Sequence, residues 1–317
     1  ADVLEKLRDK HPIIECILEY RLLTKLYTTY IEGLISCIHS DNKIHTIYTQ
    51  TLTRTGRLSS IEPNLQNIPI RNEYGRLIRK AFMPSNDSVI LSGDYSQIEL
   101  RILAHMANIE TLIEAFNNDI DIHTKTASDI FKVELENVTK QMRRIAKAVN
   151  FGIIYGISPY GLSSNADISV SEAKQFIDNY FSSYPGIKEY MDDTIREAYD
   201  KKYVRTLYGR KRVIPELSNS NHMIKQQGER MALNTPIQGT SADIIKLAMI
   251  NVHKRLKDEK LESKLIIQVH DELIIDVKNS ELELVKNILK EEMENIIKLS
   301  VPLKVEMEYG NNWYEAK

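Results

Sequence analysis

The stretch Leu265 to Val277 reads L-I-I-Q-V-H-D-E-L-I-I-D-V, an apolar run interrupted by His270, Asp271 and Glu272. Burying two neighbouring carboxylates without partners is costly. The run therefore predicts two short strands joined by a turn that reaches water or a cation. Adjacent side chains on a strand point to opposite faces. Asp271 and Glu272 are then unequal, and Asp271 is the better candidate ligand.

The rest of the chain supplies few strands to pair with these two. Lys43 to Leu52 alternates and is rich in Ile, Thr and Tyr, which predicts a strand. Ser88 to Asp94 predicts another, followed by a helix from Ser96 to Asn108, and Val301 to Glu308 predicts a last one. Residues 12–38 carry Ile13, Ile14, Ile17, Leu18, Leu22, Leu26 and Tyr30 at helical spacing. Thr53 to Arg71 is rich in Ser, Pro and Asn and reads as ordered loop. Residues 110–199 read as helix, with breaks at Gly152–Pro159 and at Tyr184-Pro185-Gly186. Lys201 to Pro215 suggests a hairpin or irregular arm, Asn221 to Glu259 a helix bent at Pro236, and Ser280 to Leu299 an amphipathic helix. The fold class is therefore α+β, a small and mostly antiparallel sheet with a helical block inserted in its middle.

Composition narrows the function classes. A net charge of −2 over 317 residues excludes a generally basic coat for nucleic acid, so any polyanion must meet a local patch. Cys16 and Cys37, on one expected helix, lie roughly 30 Å apart at about 1.5 Å per residue, too far for a disulfide. There is no C-x-x-C pair to suggest a structural zinc, and the cysteine usage fits a reducing compartment. No apolar run approaches the roughly 20 residues of a membrane span, and the start resembles no secretion signal. The chain does not begin with Met, which leaves open a fragment or a processed chain.

Asp94 ends the Ser88–Asp94 strand in S-G-D-Y-S-Q-I-E-L-R. Acidic residues at the ends of adjacent strands can converge on one point and there hold magnesium together with substrate phosphates. The competing readings are a plain strand end at Asp94 and a wet hairpin turn at His270–Glu272. Ser96-Gln97-Ile98-Glu99 fits a capping box, in which Glu99 would bond back to the helix start. Arg143, Lys147, Phe151 and Tyr155 follow one another at i+4 steps and share a slowly rotating face. Cations suit a triphosphate, and rings suit a base or sugar. Ile145, Val149 and Ile153 form a separate stripe for the core. Arg230, Asn234 and Gln238 recur at i, i+4, i+8, a set that can donate to the near-degenerate minor-groove acceptors of a duplex. Arg57, Asn64, Gln66 and Asn67 could add to them. The arm K-K-Y-V-R-T-L-Y-G-R-K-R, residues 201–212, carries six cations with Tyr203 and Tyr208 between them. It reads either as a phosphate track or as a solvated face.

Together these pieces resemble the polymerase domain of bacterial family A DNA polymerases, over nearly the whole chain. D-Y-S-Q-I-E-L-R at 94–101, R-R-I-A-K-A-V-N-F-G-I-I-Y-G at 143–156 and Q-V-H-D-E at 268–272 are similar to the family's three motifs. T-G-R-L-S-S-I-E-P-N-L-Q-N-I-P at 55–69 and N-T-P-I-Q-G-T-S-A-D at 234–243 are also family-like. The resemblance implies a right-hand polymerase fold with an antiparallel palm sheet, a helical fingers insertion and a partial helical thumb. Residues 1–40 would be the C-terminal part of the thumb, 41–110 the first palm segment, 111–224 the fingers and 225–317 the second palm segment.

The resemblance also implies a template-directed DNA polymerase. It would add dNMP from dNTP to a primer 3′ end by two-metal-ion phosphoryl transfer and release pyrophosphate. Asp94, Asp271 and the backbone carbonyl of Tyr95 would bind two Mg²⁺ ions, with Mn²⁺ able to substitute and Glu272 assisting. Arg143, Lys147 and His123 would hold the triphosphate, and Lys147 would give a proton to the leaving pyrophosphate. Phe151, Tyr155 and Gln97 would complete the nucleotide site, and Glu99 would block a ribose 2′-hydroxyl. Phe151 lacks the hydroxyl by which a tyrosine could replace a missing 3′-OH, so discrimination against dideoxynucleotides is expected. Arg57, Asn64, Gln66, Arg230, Asn234, Gln238 and His270 would contact primer-template DNA. The expected setting is the bacterial cytoplasm at the nucleoid, with an organellar origin left open, and the expected state is a monomer without a membrane partner. No proofreading and low processivity are expected of this chain alone.

Three rivals share parts of the pattern. A two-metal nuclease would need the carboxylates but not the Arg143–Tyr155 face. An inactive DNA-binding module should have lost carboxylates, and none is lost. A related RNA polymerase would lack a glutamate at position 99.

Overall fold

The computed structural model describes residues 2–5, 7–70 and 72–317. Ala1 and Lys6, in the expected thumb segment, and Arg71, at the end of the expected loop, lie outside the described residues. The chain opens with α1 (Asp2–Glu5), α2 (Ile13–Lys25), a π-helical stretch at Leu26–Glu32 and α3 (Gly33–Ile35). The long helix expected over 12–38 is thus present, with wider turns in its second half. The expected strand at 43–52 shrinks to β1 (Ile47–Thr49), which pairs antiparallel with β2 (Ser59–Ile61). A short α4 (Glu73–Ile78) leads into β3 (Ser88–Tyr95).

The helical block follows as α5 (Ile98–Met106), α6 (Glu110–Asn117), α7 (Ile122–Phe131), α8 (Lys140–Ile154), α9 (Pro159–Ala166), α10 (Val170–Ser183) and α11 (Pro185–Lys201). Two breaks fall where Gly and Pro predict them, whereas those at 118–121, 132–139 and 167–169 contain neither residue and were not expected. Gly156, at φ +64, follows the end of α8, while Pro159 and Pro185 sit in first turns, where a missing N–H costs nothing. The basic arm is a hairpin of β4 (Tyr203–Arg205) and β5 (Lys211–Val213). Then come α12 (His222–Asp258), β6 (Lys264–Val269), β7 (Glu272–Lys278), α13 (Leu282–Glu294) and β8 (Val305–Gly310). Pro236 lies inside α12 without ending it.

The central sheet has four strands in the order β6-β7-β3-β8, all neighbours antiparallel. Its two faces are both apolar and both covered. Leu91, Leu273, Ile275 and Val277 join one large core with α5–α10, α12 and α13. Ile90, Ile267, Val269 and Ile274 face the other way, onto Leu26, Tyr30, Leu34 and Trp313. Sheet and inserted helices therefore share one core, which fixes the helical block relative to the strand ends. This is the α+β arrangement expected from the sequence. Among the described residues, no helix is long and apolar enough to cross a membrane.

Candidate active site

The interrupted apolar run is a tight hairpin. Val269 pairs with Glu272, leaving His270 and Asp271 as the two turn residues, with His270 at φ +51. The register places Glu272 opposite Asp94 on β3, and the Tyr95 amide donates to the Asp271 carbonyl at 3.1 Å. The turn is thereby tied to the end of β3, and the three carboxylates meet at one edge of the sheet.

The two neighbouring acids are unequal, as expected. Asp271 is half-exposed and accepts a hydrogen bond from the Ser241 hydroxyl on α12 at 2.8 Å. Glu272 is 1% exposed and accepts from the Ser92 hydroxyl at 2.6 Å and from Lys317 Nζ at 2.8 Å. The cation beside Glu272 is thus a side chain of the protein, Lys317. Lys317 also lies 3.8 Å from Asp94 Oδ2. Burial pushes the Asp94 carboxyl up to about 6; Lys317 opposes this, while Glu272, Asp271 and Glu306 add to it. A half-buried carboxylate crowded by others and held by one lysine is an electrostatic invitation to a divalent cation. The donors are all hard oxygens, which fit magnesium rather than zinc or copper. Among the described residues no group of three or more His, Cys, Asp or Glu side chains is placed to hold a metal ion by itself. Tyr95 anchors the strand end by donating its hydroxyl to the Met293 carbonyl at 2.6 Å.

The capping box expected at Ser96–Glu99 does not form. Gln97 is the N-cap of α5 in the left-handed region at φ +55, with no side-chain capping bond. Glu99 instead accepts from Arg57 at 2.8 Å and from the Tyr155 hydroxyl, and is 6% exposed. Two charge-assisted bonds outcompete a local cap. Burial raises the Glu99 carboxyl, and Tyr155 and Arg57 oppose that rise. The glutamate is rigid, but through partners distant in sequence.

Helix α8 presents the expected face. Arg143, Lys147 and Tyr155 are exposed, Phe151 is half-buried, and Ile145, Val149 and Ile153 are in the core. Thr139 caps the helix by accepting from the Met142 amide at 3.2 Å. Lys147, Phe151, Tyr155 and Arg230 share the wall of an open cleft of about 700 Å³. His123 on α7 sits behind Phe151, ring centroids 5.7 Å apart, and is 3% exposed. Its Nδ1 lies 3.1 Å from the Asn150 amide nitrogen, a contact that suits the tautomer protonated at Nε2. Burial lowers the ring to about 4; Lys147 and Arg143 act with burial, and Asp121 against it. His123 is therefore a neutral donor, not a third cation. Arg143 is not free either: it makes two bonds to Asp121, at 2.6 and 3.3 Å.

The residues expected on a duplex divide into two groups. Arg230 is exposed, Asn234 and Gln238 are half-buried, and Asn234 Oδ1 is buried without a hydrogen-bond partner. Arg57, Gln66, Gln268 and His270 line one small cleft beside α12. Asn64 and Gln66, however, are engaged internally. Asn64 accepts from the Gln66 amide at 3.0 Å, and Gln66 bridges Ser60 and Gln268. They brace the loop against β6 more than they present groups outward. In the arm, Arg210 is held by Asp243 at 2.5 Å and Arg212 by Thr235 at 2.8 Å, so it is partly a structural hairpin.

Sequence reasoning missed Asp121, Ser241, Ser92, Asn150 and Lys317. Ser92, Asn150 and Ser241 lie within quoted stretches, but their partners come from other elements. Asp121 and Lys317 lie outside every quoted stretch.

Comparison with known proteins agrees with this geometry. A model described as DNA polymerase family A matches residues 1–315. DNA polymerase I of Bacillus caldotenax is 56% identical, covering 100% of this chain and 36% of the relative. DNA polymerase I of Bacillus subtilis (strain 168) is also 56% identical with the same coverage. The chain thus spans about 36% of the length of these curated relatives. A solved structure of the POL domain of Pol1 from M. smegmatis, in complex with DNA primer-template and dNTP, superposes with a TM-score of 0.95 at 45% identity. It is covered over 56% of its length by 100% of this chain. The fold is accordingly the right-hand polymerase fold, and the chain belongs to DNA polymerase family A.

Proposed function

We propose that this chain carries template-directed DNA synthesis, adding dNMP from dNTP to a primer 3′ end and releasing pyrophosphate. The observation that carries the reading is the bridge from the carboxylate edge to the cationic helix. Glu99, on the helix after Asp94, is bonded to Tyr155 at the end of the Arg143–Lys147–Phe151 face. The bridge sets the groups suited to phosphoryl transfer beside the groups suited to a nucleotide. The M. smegmatis relative, bound to primer-template and dNTP, supports the same partners here.

Asp94, Asp271 and the Tyr95 carbonyl would hold two magnesium ions, or manganese. Bound there, these ions would stabilise both the attacking and the leaving oxygen of the transfer. Glu272, held on Ser92 and Lys317, assists from behind by fixing the charge around Asp94. Arg143, Lys147 and the His123 Nε2 proton hold the triphosphate, and Lys147 gives its proton to the departing pyrophosphate. Phe151 stacks on the nucleotide, Gln97 borders it, and Glu99 meets a ribose 2′-hydroxyl. Arg57, Arg230, Asn234, Gln238 and His270 contact the primer end and the nascent pair. In this reading 1–40 end the thumb, 41–110 and 225–317 form the palm and 111–224 the fingers. The chain acts as a monomer in the bacterial cytoplasm and does not proofread by itself. Extension of a labelled primer with magnesium and dNTPs, but not with rNTPs, is the expected result. No extension by a folded, DNA-binding protein would refute it.

A further inference from the structure

Arg143 is the one cation of the α8 face that is already paired. Lys147, one turn on, has no ion pair or hydrogen bond among the described residues, whereas the Arg143 guanidinium grips Asp121 through Nε and one terminal nitrogen. Asp121 is itself held in place, because it caps α7 by accepting from the Thr124 amide at 2.7 Å. Both partners are part-exposed, 45% and 39%, so an incoming anion can reach and replace the carboxylate. His123, the other expected phosphate contact, begins the same helix two residues later.

We propose that Asp121 is an internal competitor for the polyphosphate: it holds Arg143 when no nucleotide is bound, and takes it back to help release pyrophosphate. The inference rests on the reading of Arg143 as a triphosphate contact. Any ligand that uses Arg143 must first displace a fixed carboxylate, so its affinity is lowered. A ligand that does not reach Arg143 is unaffected. Burial would raise the Asp121 carboxyl, but bonds from Arg143 and Thr124 outweigh it and bring it down to about 2, so the competitor stays charged. Part-exposed pairs of this kind are weak, which sets the size of the effect at about two- to fivefold.

Asp121→Asn separates this role from the cap, because asparagine caps a helix as well as aspartate does. Binding of inorganic pyrophosphate and of a non-hydrolysable dATP analogue is measured by calorimetry on the primer-template complex. Asp121→Asn should tighten both by about two- to fivefold, leave a deoxynucleoside without phosphates unchanged, and slow pyrophosphate release. In an Arg143→Ala background the tightening should vanish. Unchanged or weaker binding in Asp121→Asn overturns the proposal, as does equal tightening when Arg143 is absent. If Arg143→Ala alone binds the analogue like the wild type, the assignment of Arg143 fails, and the proposal fails with it.

Discussion

Glu99 shows how one carboxylate can be rigid for a reason its neighbours in sequence do not reveal. Ser96 and Glu99 have the spacing of a capping box, yet Gln97 turns left-handed and Glu99 bonds Arg57 and Tyr155. A gate held by these two partners should depend on them and not on Ser96. Glu99→Ala is expected to raise ribonucleotide incorporation relative to deoxynucleotide by about tenfold or more, the scale of one lost discrimination of ~1.4 kcal/mol. Ser96→Ala should leave sugar selection unchanged. Competing incorporation of rNTP and dNTP checks both. His123 gives a pH prediction. Burial holds its ring near 4 in the fold against an ordinary histidine value of 6.5, so the folded protein binds fewer protons than the unfolded chain between those values. Its stabilising contribution is full above about pH 6.5 and is lost as pH falls toward about 4. Histidine carbon NMR should show this ring neutral at pH 6, and a ring that titrates near 6.5 would contradict the burial argument.

At the scale of elements, local signals were read well where local forces decide. Pro159 and Pro185 start helices, and the apolar stripe of α8 faces the core. The hairpin around Asp271 follows from an apolar run that cannot bury its charges. What the sequence hid was set by long-range pairing. Tyr155 reaches Glu99 across 56 positions and Lys317 reaches Glu272 across 45, and no periodicity records such contacts. Two of the Ser-x-x-Glu segments, Ser96–Glu99 and Ser169–Glu172, make the contrast measurable. Ser169–Glu172 at the start of α10 forms a true capping box, with the serine accepting at 3.2 Å and the glutamate accepting from the Ser169 amide at 2.9 Å. Ser169→Ala should lower stability by about 1 kcal/mol, and Ser96→Ala by much less. Denaturant midpoints at constant slope report the difference.

For the whole molecule, the sheet and the inserted helices share one core, so the carboxylate edge and the α8 face are held to one another by packing. Fold class was legible because strands are few and flank a long helical block. The candidate site was legible as separate motifs, and its wiring was not. The central claim is that Asp271 and Glu272, adjacent in sequence, have different tasks: Asp271, half-exposed beside Ser241, would meet the reacting phosphate in the proposed function, and Glu272 is buried against Ser92 and Lys317. Single-nucleotide primer extension with magnesium, run on wild type, Asp271→Asn and Glu272→Gln with folding verified, tests it directly. Asp271→Asn should abolish extension while Glu272→Gln only weakens it. Equal loss in both, or a working Asp271→Asn enzyme, would contradict the account.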